Sequence, residues 1–219
     1  MKSSKEKSFF CSWSGGKDSC LALYYAVQNG YTPKCLLTML TENGERTRSH
    51  GIPISVLKQQ AEALAIPLTV CSTSWNNYEA TFLSAICDLK ERGIELGVFG
   101  DIDLDAHRQW CEKVCSVASI QHCHPLWKKG RRDLLNEFIR LNFKATIIAV
   151  KKSVLDKEFL GKTFNSDVIN EIENTGIDAS GEEGEYHTIV TDGPIFSYTV
   201  NLVLGKPVLH NGYWLLDIS

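Results

Sequence analysis

No stretch of this 219-residue chain approaches the run of about 18 apolar residues that crosses a bilayer, and its opening, MKSSKEKSFFCSW, lacks the apolar segment of an export signal. A cytosolic protein with no membrane partner is therefore expected. A broad basic surface is missing too: 23 Lys and Arg stand against 26 Asp and Glu, for a formal charge of -3. That balance argues against non-specific binding of nucleic acid, which is not expected as a partner. The one dense basic cluster, Lys128, Lys129, Arg131 and Arg132, reads either as a solvated loop and helix start or as a local basic patch. Paired CxxC spacing is absent although there are eight cysteines, at 11, 20, 35, 71, 87, 111, 115 and 123. Most lie in apolar runs such as FFCSW and LTVCS, so in a reducing compartment they read as small buried hydrophobes. Cys111 and Cys115 on a helix, followed by His122, Cys123 and His124, lack the spacing of a structural zinc site. The HCH run itself reads as a strand with alternating faces. Relay of sulfur through Cys115 or Cys123 loses ground for the same reason. No internal repeat or low-complexity segment appears, and 43% apolar with 22% charged residues places the chain among folded globular proteins.

What is present is an alternation. SFFCSW (8–13) is a short apolar run that ends near a glycine pair, and the segment from Ser19 to Asn29 has helical spacing with Gly30 as its stop. Strands over 34–40, 67–72 and 95–100 then alternate with helices over about 53–65, 77–92 and 106–118. Such alternation predicts an α/β fold, with a parallel sheet covered by helices on both faces. Ligands of such sheets bind beyond the carboxyl ends of the strands, where the Gly15-Gly16 loop and the Gly100-Asp101 pair both fall. Past Pro125 the texture changes to a helix near 132–142, a strand over 145–150, a polar helical stretch, GEEGEYHT, and extended runs YTVNLVLG and YWLLDI. Asn211-Gly212 signals a turn between the last two runs. The expected organisation is a domain over 1–125 and a smaller α+β domain over 126–219.

SGGKDS (Ser14–Ser19) lies where a strand gives way to a helix. Gly15 and Gly16 let the backbone approach phosphate oxygens, and the helix start aims N–H groups at negative charge. Ser14 and Ser19 can add hydroxyl hydrogen bonds, Lys17 a cation, and Asp18 can face Mg2+ or its waters. The glycine spacing differs from that of the GxxxxGK[ST] loop that serves gamma-phosphate transfer. A plain Gly-Gly turn is the structural alternative.

With the blocks SGGKDSCLALYYA, TRSHGIP (47–53), FGDID (99–103), RQWCEKVC (108–115), HPLW (124–127) and GEEGEYHT (181–188) in order over nearly the whole chain, the sequence resembles the PP-loop (N-type) ATP pyrophosphatases, and among them the diphthine-ammonia ligase family and its bacterial relatives. The resemblance implies a HUP-type nucleotide domain followed by a smaller substrate domain. It implies an ATP-dependent, AMP-forming ligase in which a carboxylate becomes an acyl adenylate and is amidated by ammonia, with ATP and Mg2+ as cofactors. The carboxylate is then diphthine on translation elongation factor 2 or a small metabolite. One departure bears on that choice: the late motif of eukaryotic and archaeal enzymes resembles EGGEFET, whereas His187 stands here, resembling a bacterial branch for which a role in cobalamin salvage has been suggested. The reaction type survives this change and the acceptor identity does not. Thiolation of a tRNA base and non-enzymatic sensing of an adenine nucleotide are the competing readings, and a homodimer stays open.

Other candidates follow from residue type. Glu182 and Glu185, flanked by Gly181 and Gly184, can orient ammonium, accept a proton or hold Mg2+, or form a solvated acidic turn. His187 can exchange protons near neutrality or be structural. Asp101, after Gly100 at a strand end, can reach metal or a substrate amine, with Asp103 or Asp105 the better helix cap. Arg108 and Glu112, four apart on a helix, are expected to pair. Arg48 and His50 precede Gly51 and Pro53; the resemblance places them near the nucleotide, and a surface loop is the alternative.

Overall fold

In the computed structural model, which describes residues 7–219, β1 (Ser8–Ser12) is the central strand of a five-stranded parallel sheet. The order is β3 (Leu68–Ser72), β2 (Thr32–Leu40), β1, β4 (Leu96–Val98) and β5 (Gln121–Cys123). A central parallel strand is covered on both faces, and Phe9, Phe10 and Cys11 are accordingly all fully buried. Phe10 packs into a core with Phe82, Ile86 and Leu89 of α3 (Tyr78–Glu91) and with Cys111, Val114 and Cys115 of α4 (Asp105–Val117). Cys11, its neighbour on the opposite face, points its thiol at the Ser19 carbonyl of α1 (Lys17–Gln28). Helices thus cover both sides, as the alternating pattern requires.

Gly97, in the middle of β4, is there because nothing larger fits. A Cβ would lie 2.7 Å from Phe10 Cζ and 3.0 Å from Phe99 Cε2. Those rings meet edge to face at 5.9 Å, so neither yields without losing the other. Gly97→Ala is expected to cost about 1–3 kcal/mol, read as a lowered urea midpoint with an unchanged slope.

A second sheet, antiparallel and four-stranded, runs β7 (Tyr186–Asp192), β6 (Lys144–Lys151), β9 (Tyr213–Ile218), β8 (Leu204–His210). Helices α5 (Arg131–Arg140) and α6 (Ser166–Asn174) accompany it; Asn165 caps α6 by accepting from the Val168 N–H at 2.9 Å. Asn211, at positive φ, and Gly212 turn β8 into β9 as the dipeptide foretold. The YTVNLVLG run is corrected: the strand begins only at Leu204 and continues through Pro207. Residues 197–200 are held otherwise, Ser197 by the Ala63 carbonyl and Val200 by that of Thr191. The end of GEEGEYHT opens β7, a strand that the sequence pattern does not announce.

Two compact units result. One gathers the described residues up to Ser14, Asp18–Arg48 and Ile66–Trp127; the other gathers Gly15–Lys17, Ser49–Ala65 and Lys128–Ser219. Gly15–Lys17 and the segment carrying α2 (Ile54–Leu64) therefore group with the antiparallel sheet, through hydrogen bonds described below. Among the described residues no helix is long and apolar enough to cross a membrane.

Candidate functional site

In the first unit the strand order reverses at β1: the chain steps outward to β2 and β3, then returns to place β4 on the other side of β1. The carboxyl ends of β1 and β4 are neighbours, with Cys11 opposite Val98, which is the position where doubly wound sheets bind ligands. Gly100, just beyond β4, lies against the first turn of α1. A Cβ there would come within 3.0 Å of the Asp18 carbonyl carbon and 3.1 Å of the Ser19 nitrogen. The glycine lets the two loops close up, and Ser14 and Ser19 share a hydroxyl hydrogen bond of 3.1 Å beside it. Helix α1 opens at Lys17, earlier than the spacing predicts, which puts Asp18 in the turn where the helix dipole favours a carboxylate.

Also in this unit, Asp101 is flanked by Cys111, whose thiol donates to Asp101 Oδ2 at 3.6 Å, and by His124, whose Nε2 lies 3.5 Å from the same oxygen. His107 Nδ1 sits 3.6 Å from the other carboxylate oxygen. Neither Asp103 nor Asp105 caps α4: Leu104 holds that position without a side-chain bond, and Asp105 is the first helical residue. Arg108 and Glu112 pair at 2.6 Å, as four-residue spacing predicts, and the guanidinium lies 4.7 Å from the centre of the Trp127 ring. Arg48 is committed elsewhere. Its Nε and Nη2 donate to the Thr73 carbonyl at 3.0 and 2.6 Å, over the Trp75 ring.

In the second unit Gly15 and Gly16 sit in a cradle that admits no side chain. Gly15, at φ +80°, would place a Cβ 2.7 Å from Gln60 Oε1; Gly16 would place one 2.9 Å from His50 Cε1 and 3.1 Å from the Thr188 carbonyl oxygen. Fully buried Gln60 donates from Nε2 to the carbonyls of Gly15, at 3.0 Å, and Val190, at 2.7 Å, while the Val190 N–H donates to the Gly15 carbonyl at 2.9 Å. The Lys17 N–H donates to Thr188 Oγ1 at 3.1 Å, so this amide of the helix start is already engaged. The Lys17 side chain is 5% exposed, its ammonium 5.6 Å from the centre of the Tyr186 ring.

His50 stacks on His187 at 4.3 Å, and His187 on Tyr213 at 5.9 Å. Burial first, then nearby Lys17, lowers His187 to about 4, and burial with His187 and Lys17 holds His50 well below the ordinary imidazole range. Both rings are neutral at neutral pH. The Glu183 N–H donates to Glu185 Oε2 at 3.0 Å, and Tyr213 donates to the Gly184 carbonyl at 2.8 Å, fixing the turn that carries the half-buried Glu182 and Glu185.

Two family models match in succession: the diphthamide synthase N-terminal domain over residues 8–122 and the diphthamide synthase C-terminal domain over 130–218. The chain belongs to the diphthamide synthase family. Among curated relatives it is 27% identical to the diphthine–ammonia ligase of Mus musculus and 26% identical to that of Homo sapiens, in each case over 90% of this chain and 84% of the relative. The Schizosaccharomyces pombe diphthine–ammonia ligase is 27% identical over 90% of this chain and 36% of its own longer length. A solved chain described as a predicted subunit of tRNA methyltransferase from Methanocaldococcus jannaschii aligns at a TM-score of 0.47 with 15% identity, covering 84% of this chain and 96% of that one, a likeness too slight to carry function. With this family comes an ATP-dependent, AMP-forming carbon–nitrogen ligase. The tRNA-thiolation and sensor readings find no support among these relatives.

For a diphthamide synthase family member, the residues the sequence missed are instructive. Gln60 sits at helical spacing among Val56, Leu57, Ala61 and Leu64, so a polar residue on the apolar stripe of α2 was its available signal. Thr188 closes the GEEGEYHT block but had no assigned role, and Tyr213 had no signal; the structure shows what they touch, the Lys17 amide and the Gly184 carbonyl.

Proposed function

We propose that this ligase uses ATP to adenylate a carboxylate and passes the acyl group to ammonia, giving an amide, AMP and pyrophosphate, with Gly15–Lys17 as the phosphate cradle. The observation that carries the proposal is the pair of glycine positions at which any Cβ would strike Gln60, His50 or the Thr188 carbonyl, beside a buried lysine. A loop so tightly held keeps its buried cation in place for an anion without reorganising. Asp18 in the first turn of α1 and the hydroxyls of Ser14 and Ser19, which share a hydrogen bond, supply oxygen donors of the hard kind that Mg2+ takes, and these residues would hold it, where the ion would screen the phosphate charge. Attack by ammonia leaves one proton to be removed. Glu182, Glu185 and the neutral imidazole of His187 are the acceptors we assign.

Diphthine on translation elongation factor 2 is the first acceptor we assign, by analogy with the named relatives. A small carboxylated metabolite is the second, because His187 departs from the EGGEFET-like late motif that eukaryotic and archaeal enzymes resemble. Incubation with alpha-labelled ATP, ammonium and either diphthine-bearing elongation factor or a panel of small carboxylic acids distinguishes them. AMP that appears only with ammonium and one carboxylate supports the ligase and names its acceptor. ADP and orthophosphate as products would end the reading.

A further inference from the structure

We infer that Asp101, Cys111 and His124 form a binding site for a divalent transition-metal ion of zinc's type, a different set from the Cys111, Cys115, His122, Cys123, His124 group visible in the sequence. One oxygen, one sulfur and one nitrogen, each from a different element or loop of the first unit, lie within 4.8 Å of one another. Tetrahedral zinc with bonds of about 2.0–2.3 Å needs donor-to-donor edges of about 3.3–3.7 Å. Two of the three edges are already that long, Cys111 Sγ to Asp101 Oδ2 at 3.6 Å and His124 Nε2 to Asp101 Oδ2 at 3.5 Å. The third, Cys111 Sγ to His124 Nε2, is within 4.8 Å.

A second observation points to a ligand. The His124 side chain is only 4% exposed, and its Nε2, aimed into the cluster, makes no hydrogen bond. Leaving a buried ring nitrogen unsatisfied is costly, and a cation accepting its lone pair removes that cost. Neighbouring rings fix the imidazole in this orientation. Phe99 stacks on it at 5.3 Å, and His122 and Trp127 meet it edge-on at 5.5 and 6.1 Å. His107, 3.6 Å from Asp101 Oδ1, sits on the outer oxygen and leaves Oδ2 facing inward, the support that metal-bound carboxylates usually have. Thiolate and imidazole donors select zinc-like ions over Mg2+ and Ca2+. Cys115 is fully buried in the helix-packed core and Cys123 and His122 lie on β5, which leaves them out of the set.

On binding, the Cys111 S–H bond breaks, its proton passes to solvent, and the sulfur electron pair goes to the metal, so one proton is released per ion bound. Three protein ligands leave a fourth position for water or a substrate donor. The probe is Co2+ added to the full chain under a thiol-free reductant. The expected result is saturation at one equivalent, with a near-ultraviolet sulfur-to-cobalt band and visible bands of a tetrahedral ion. Cys111→Ser should abolish the sulfur band, Cys87→Ser at the surface should keep it, and His124→Gln, which removes a ligand, should weaken binding by more than the roughly 10–100-fold that losing an outer-shell partner costs. No saturable uptake, or a sulfur band that survives Cys111→Ser, overturns the proposal. If Cys111→Ser unfolds by circular dichroism, His124→Gln decides alone, and unchanged Co2+ affinity in it counts against the site.

Discussion

Lys17→Met is expected to lower the rate of AMP formation about 10²–10³-fold, the usual cost of removing one preorganised charge from a transition state. Methionine keeps the apolar stem of a side chain that is 5% exposed and removes only the ammonium held near Tyr186. The side-chain stem is preserved, and circular dichroism checks that the variant folds. The loss should fall on turnover more than on KM for ATP, because charge on the departing phosphates is greatest as the bond breaks. Near-normal turnover in a folded Lys17→Met protein would remove the cradle from the chemistry and take the ligase mechanism proposed for Gly15–Lys17 with it.

The second large effect is on stability in acid. His187 titrates at about 4 in the folded chain against an ordinary 6.5, because burial and then Lys17 disfavour the imidazolium. Its folded value is the lower one, so between these two values the unfolded chain binds the proton more readily. Acidification therefore draws the equilibrium toward unfolding: the stabilisation is fully present above about pH 6.5 and drains away as pH falls toward about 4. A difference of that size amounts to on the order of 3 kcal/mol. His50, stacked on it and likewise held neutral by burial, works in the same direction. Urea midpoints at pH 7 and pH 5 measure the effect. His187→Gln should flatten the dependence, and an identical slope in the variant would show that the His187 imidazole is not the group responsible.

The sequence placed glycines where a backbone must come close, but the physical reason for each differs. Gly100 clears the backbone of Asp18 and Ser19 within the parallel-sheet unit, whereas Gly15 and Gly16 clear Gln60, His50 and Thr188 in the other. Helix start signals were less faithful. Asp103 and Asp105 were good capping residues by type, yet α4 begins at Asp105 with Leu104 before it, while Asp101 lies against Cys111 and His124.

What the chain settled by itself was periodic or local. Alternating strands and helices imply a covered parallel sheet; SGGKDS marks a strand-to-helix turn; Asn211-Gly212 makes a hairpin turn; and four-residue spacing pairs Arg108 with Glu112. Each is dictated within a few residues, by φ preferences or by helical pitch. Tertiary structure alone decided that Gln60 clamps Gly15, that Thr188 takes the Lys17 amide, that His50 stacks on His187, and that Cys111 and His124 share Asp101 rather than joining Cys115 and Cys123. These partners are separated by 10 to 171 positions in the chain. No local pattern encodes such meetings, because they are set by which sheet edge and helix face the whole fold brings together.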